Sequence, residues 1–107
     1  MSEEKPQEVE FDVIAVRVYE RVDAPGEVRL LVGRPEPDPV PGRDWRCRIV
    51  IEGLDVPIDR WAYGVDAIQA PGLAFELARI HLQPNRNRPA SVSWLEQSDP
   101  GLPRLLG

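Results

Sequence analysis

The chain offers one thiol, Cys47, and one imidazole, His81. A nucleophilic thiol needs a lowered pKa, access and usually a neighbouring cation or helix start. Cys47 instead alternates with Trp45, Ile49 and Ile51 along a strand-like stretch. That pattern predicts a packed, inert core cysteine. His81 falls near the end of a helical stretch, where a protonated ring meets the favourable end of the helix dipole. A Cys–His or Ser–His triad would have to use this histidine, and no nucleophile elbow is present. CxxC and Cys/His zinc spacings are absent, and Gln69 and Leu77 fill the helical rows next to His81. The reading therefore assigns no catalytic residue, no metal site and no cofactor.

Three carboxylates lie close in sequence: Asp55, Asp59 and Asp66. Each has a structural setting, in a turn, an edge strand and a helix cap respectively. An acid/base pair would need one of them buried with a raised pKa. The string Gly64-Val65-Asp66-Ala67-Ile68-Gln69-Ala70 reads as a helix start. Asp66 with Gln69 three residues on has capping-box spacing, in which the two side chains take up the first free N–H groups. The same donors would be needed to bind an anion, and Asp66 would repel one. The aromatic residues give a different signal. Trp61 and Tyr63 share one parity of a suspected edge strand, and Arg46, Arg48 and Arg60 could flank them. Tryptophan and arginine are enriched in protein interfaces, so these five residues are the candidate interaction patch.

Charge narrows the partner. The formal net charge is −5, of which residues 1–10 hold −3. Nucleic-acid binding draws on cations that displace phosphate counterions, so an acidic chain argues against it. Twelve Arg and one Lys supply the positive charge, as expected of a GC-rich coding genome. No apolar run approaches ~18 residues, and residues 1–10 have no apolar core of a signal peptide. These features predict a cytoplasmic protein, with no nucleic acid and no membrane among its partners.

The elements that must position these residues follow from period and punctuation. Residues 1–10 read as a disordered acidic tail. Residues 11–21 form a strand whose first half is apolar on both faces, which predicts a central strand or one covered on both sides. Pro25-Gly26 turns it into a second strand, residues 28–34, as a hairpin. Prolines at 35, 37, 39 and 41 make a stiff extended loop. Residues 44–53 alternate as a half-buried strand, with Arg46, Arg48, Val50 and Glu52 on the wet side. Residues 56–63 form an edge strand, because Pro57 cannot donate to a ladder. A long helix follows Asp66, with Ile68, Pro71, Ala74, Phe75, Ala78 and Leu82 on its apolar face. Leu73, Leu77 and Ile80 broaden that face enough to suggest a second covering surface. Pro71, just past the expected first turn, predicts a kink. Residues 90–97 can add a short fifth strand, and residues 98–107 read as loose.

This order, with its W-x-C strand (Trp45, Cys47) and G-x-D-x-x-Q-A helix start (Gly64, Asp66, Gln69, Ala70), resembles a family of small bacterial domains of unknown function. Gly53, Trp94 and Gly101-Leu102-Pro103 carry the likeness further, over about residues 11–103. Pro71-Gly72 departs from it, where good helix formers are the rule. The resemblance implies a fold order and a bacterial origin and no activity. The expected architecture is α+β: an antiparallel sheet of four to five strands with one long helix on one face, spanning residues 11–97. The expected function is a non-enzymatic protein-interaction module, with a homodimer as one form of assembly. The alternatives are a toxin-neutralising immunity protein, and a small-ligand-binding domain or enzyme with a site near the helix N-terminus at Asp66 and Gln69.

Overall fold

The computed structural model describes residues 11–103, apart from Asn85 and Arg88. The expected acidic tail at residues 1–10 and the last four positions lie outside that range. The elements run β1 (Val13–Arg21), β2 (Glu27–Gly33), β3 (Glu36–Pro37), β4 (Trp45–Glu52), β5 (Ile58–Gly64), α1 (Gln69–Leu82) and β6 (Val92–Ser93). The expected α+β architecture is present: one helix on an antiparallel sheet.

β1, β2, β4 and β5 pair in succession as an antiparallel meander. Gly26 takes φ +115° in the β1–β2 turn, the left-handed conformation its Pro-Gly pair is suited to. β5 occupies the far edge of β4 along its length, so β3 continues β2 end to end on the near edge, with Glu36 opposite Arg46 and Pro37 opposite Trp45. The proline loop thus contributes a two-residue bridge where its alternating N–H groups permit one. β6 returns to the opposite edge, pairing only with Glu20 and Arg21 of β1. Val92 on β6 is buried.

The core lies between one sheet face and α1. Val28, Leu30, Val32, Cys47, Ile49, Ile51 and Ala62 meet Ala70, Ala74, Ala78 and Leu82 there. The helix contributes small residues at four-residue spacing, so it sits close to β4 and β5. Gly64 marks the tightest point: a Cβ there would collide with the Ala70 backbone at 2.6 Å. Leu73, Phe75 and Leu77 also pack against the core, whereas Ile80 is exposed. Ile68, expected on the apolar face, is 82% exposed. α1 continues without a break through Pro71 to Leu82. Ala70 N–H bonds the Asp66 carbonyl and Gly72 N–H that of Ile68, so Pro71 removes the one bond between them, as its place past the first turn predicts.

Two further expectations change. β1 is not covered on both sides: Ile14, Val16 and Val18 stand on an open sheet face at 52%, 51% and 43% exposure. The helix covers the β4–β5 end of the opposite face, and among the described residues no helix covers this one. The segment after residue 97 is docked through Leu102, which packs against the core. Pro100 is buried, and its carbonyl accepts the Tyr19 hydroxyl at 2.8 Å and Arg17 Nη1 at 3.2 Å. Arg17 also bonds the Gly101 carbonyl and lies 3.9 Å from the Trp94 ring centroid. A buried tyrosine needs a partner for its hydroxyl, and this strap supplies it.

Candidate functional site

The open face is a lattice set by strand register. One row crosses four strands as Val16, Leu31, Val50 and Asp59. The next row pairs Arg48 with Trp61, and the one beyond it pairs Arg46 with Tyr63. Side chains two residues apart on β4 share a face, so Arg46 and Arg48 bracket Trp61. The guanidinium of Arg46 lies 3.9 Å from the Trp61 ring centroid, and that of Arg48 lies 5.7 Å from it. Arg48 also stacks over Phe11 at 4.8 Å.

Each arginine is fixed by a carboxylate. Arg46 Nε donates to Glu36 Oε2 at 2.7 Å. Arg48 donates from Nε and Nη2 to the two oxygens of Asp59 at 2.9 and 2.7 Å, a bidentate pair. The hydrogen bonds from Arg48 hold the Asp59 carboxyl below the usual carboxylate range, and those to Asp59 push the Arg48 guanidinium up. The result is a rigid, charge-balanced plate of arginine and tryptophan. Such a plate offers π and apolar contact without a net field.

Of the five sequence-derived patch residues, four fall on this face. Tyr63 lies at its end, with Arg43 over its ring at 5.2 Å. Arg60 does not join them: it pairs with Ile49 and projects to the helix side of β5. Parity on β5 already separates Arg60 from Trp61 and Tyr63. Phe11, Glu36 and the Ile14/Val16/Val18 stripe belong to the surface and were not singled out from sequence. The β1 stripe has a signal in its two-sided apolar pattern, whereas Glu36 reaches Arg46 only through the β3 bridge.

The helix start is occupied by its own cap. Asp66 Oδ1 accepts the N–H groups of Ile68 and Gln69 at 3.0 and 2.8 Å, and Gln69 Oε1 accepts that of Val65 at 2.8 Å. The best-formed cavities lie elsewhere, beside β1 and beyond the end of α1. Asp55 bonds Arg21 at 3.1 Å. Cys47 is fully buried, its Sγ 3.3 Å from the Gly33 carbonyl, and burial pushes the thiol up to about 11. Among the described residues, no group of three or more His, Cys, Asp or Glu is arranged to hold a metal ion. No helix among them is long and apolar enough to cross a membrane.

Comparison with known proteins adds one finding. The profile of a family described as a domain of unknown function (DUF6968) matches residues 15–104. No curated protein and no solved structure matches the chain.

Proposed function

The chain belongs to that family of domains of unknown function, and from the geometry we propose that it is a non-enzymatic protein-interaction module. Its contact surface is the open sheet face centred on Trp61. The observation that carries this reading is the pairing of an uncovered aliphatic stripe with a pre-ordered Arg46–Trp61–Arg48 plate on one face. A contiguous apolar patch next to fixed aromatic and arginine anchors is the composition of an interface core. Ordering these side chains in the free protein lowers the entropy lost on docking. Four of the side chains weighed for catalysis have structural employment: Cys47 in the core, Asp55 and Asp59 on arginines, Asp66 at the helix cap.

The net charge of −5 favours a basic partner, which is the chemistry of the narrower reading as an immunity protein. The test is photo-cross-linking in the native host, with p-benzoylphenylalanine replacing Leu31 or, as a control, Ile80. A discrete adduct from position 31 that is lost when Trp61→Ala is added supports the open face. Adducts from both positions alike, or from neither, overturn it.

A further inference from the structure

The outer edge of β1 lacks a partner strand over most of its length. Arg21 N–H bonds Gly26 within the hairpin, and Val22 N–H bonds Ser91 on the other side. Alternation then aims the backbone groups of Arg17 and Tyr19 at β2, and those of Val16 and Val18 outward. β6 stops at Ser93, opposite Glu20. Leu95 and Glu96 then take φ 52° and 65°, and Trp94 and Gln97 exchange two backbone bonds, so the chain turns away from β1. Among the described residues no backbone bond reaches the outward groups of Val16 or Val18.

A free edge of this kind is a template for an added strand. Its surroundings specify which strand. On the open face it would lie beside exposed Val16 and Val18. Further along, Glu20 stands opposite Glu27. This is a non-hydrogen-bonded pair, the kind in which side chains come closest. The two flank a hollow of about 340 Å³ walled by Trp94 and Leu95. The next cation along β2, Arg29, stands between Val18 of β1 and Glu52 of β4. On the other face, intervening side chains would meet a cavity of about 260 Å³ lined by Ala15, Leu30, Val32, Phe75 and Leu102.

We propose that the free edge of β1 captures an extended segment of a basic partner protein. The segment adds end to end with β6, sets aliphatic side chains over Val16 and Val18, and places a Lys or Arg in the Glu20/Glu27 hollow. A second copy of β1 fits less well. Glu20 is already paired with Ser93 of β6, so two β1 edges could pair only over about Ile14–Val18, and the preceding Phe11, Asp12 and Val13 of the second copy bring no cation to the Glu20/Glu27 hollow. The proposal rests on reading the chain as an interaction module and not on Trp61.

The probe is a capped synthetic heptapeptide, Lys-Thr-Val-Thr-Val-Thr-Val, in which Lys and Val share one face, with a counterpart carrying Glu in place of Lys. Binding to the full chain is followed by amide hydrogen exchange in NMR and by titration. At saturation the lysine peptide should slow exchange at Val16 and Val18 by ~10-fold or more, since exchange reports opening of hydrogen-bonded structure. It should bind at least ~5-fold tighter than the glutamate peptide at low salt, and the difference should vanish in the E20Q/E27Q variant. Trp61→Ala should leave capture intact, so failed cross-linking at position 31 with intact capture overturns the patch and spares the edge. Unchanged exchange at Val16 and Val18, or equal binding of the two peptides, overturns the edge proposal. Protection that rises with protein concentration alone, with a dimer mass in ultracentrifugation, assigns the edge to a second copy and overturns it too.

Discussion

Cys47 is held protonated by its surroundings. Burial moves the thiol from an ordinary value near 9 up to about 11, so the folded state binds the proton more tightly than the unfolded chain. The stability this contributes is complete below about pH 9 and is lost as pH rises towards about 11. Urea denaturation across that window should show a falling stability, with a shallower fall in Cys47→Ala. The substitution itself should cost about 1 kcal/mol at pH 7, as for other small core truncations. In the folded state the thiol should react with Ellman's reagent at pH 8 far more slowly than after denaturation. Gly101 is a second such residue. It takes φ +68°, and a Cβ there would overlap the Trp94 ring. Gly101→Ala should therefore destabilise the domain by about 2 kcal/mol, from a strained backbone plus a displaced ring. Thermal unfolding checks this, and near-ultraviolet circular dichroism should report the moved tryptophan. The inert cysteine and the helix cap were legible from local pattern alone. The meaning of Gly101 was not, because Trp94 reaches it through a turn that sequence spacing does not reveal.

At the scale of elements, α1 is the best case of local instructions agreeing with the fold. Asp66 caps the N–H groups of Ile68 and Gln69 as its spacing predicts, whereas Gln69 accepts the N–H of Val65, one residue before the capping-box position. Asp66→Ala should cost about 1 kcal/mol in urea denaturation, the usual loss on removing such a cap. Pro71 lies between two N–H groups, of Ala70 and Gly72, that make helical bonds, and it cannot donate the bond between them. Pro71→Ala restores that donor and should stabilise the domain, by up to about 3 kcal/mol, the cost of an interior proline. A loss of about 0.5 kcal/mol, from the freedom the unfolded chain gains, would instead place Pro71 in the first turn. Chemical denaturation of this one variant separates the two outcomes. β1 taught the opposite lesson. Its apolar residues on both faces predicted a central strand or one covered on both sides, but pattern reports what a strand can bury and not what is there to bury it. The helix is one cylinder wide and sits over β4 and β5, which leaves Ile14, Val16 and Val18 on the far side of the sheet.

The whole molecule closes its core with a strap. Tyr19 is buried, and its hydroxyl is satisfied by the Pro100 carbonyl, 81 residues away. The helix barely reaches β2, so Trp94, Pro100 and Leu102 complete the wall over that end of the sheet. A chain ending at residue 97 should be less stable than one ending at residue 103 by roughly 3 kcal/mol, from lost apolar burial and one stranded hydroxyl. Equal stability in urea denaturation would return the folding unit to residues 11–97. The same assembly decides the candidate site. Arg46, Arg48 and Trp61 share a face by parity, yet their stacking depends on Glu36 and Asp59 holding the two guanidinium groups.

The sequence by itself determined the order of the four main strands and the helix, an antiparallel sheet that opens on a hairpin, the buried face of β4, the helix start and the absence of any triad spacing. These follow from periods of two and 3.6, from proline and glycine chemistry, and from counts of residue types, all of which are local. Only the tertiary structure decided which apolar stripe stays uncovered, that β6 stops short and leaves an open edge, and that the last described residues are a strap. Those outcomes depend on where one helix and one returning segment come to rest on six strands. Such placement is set by contacts between residues far apart in the chain, and no local pattern encodes it.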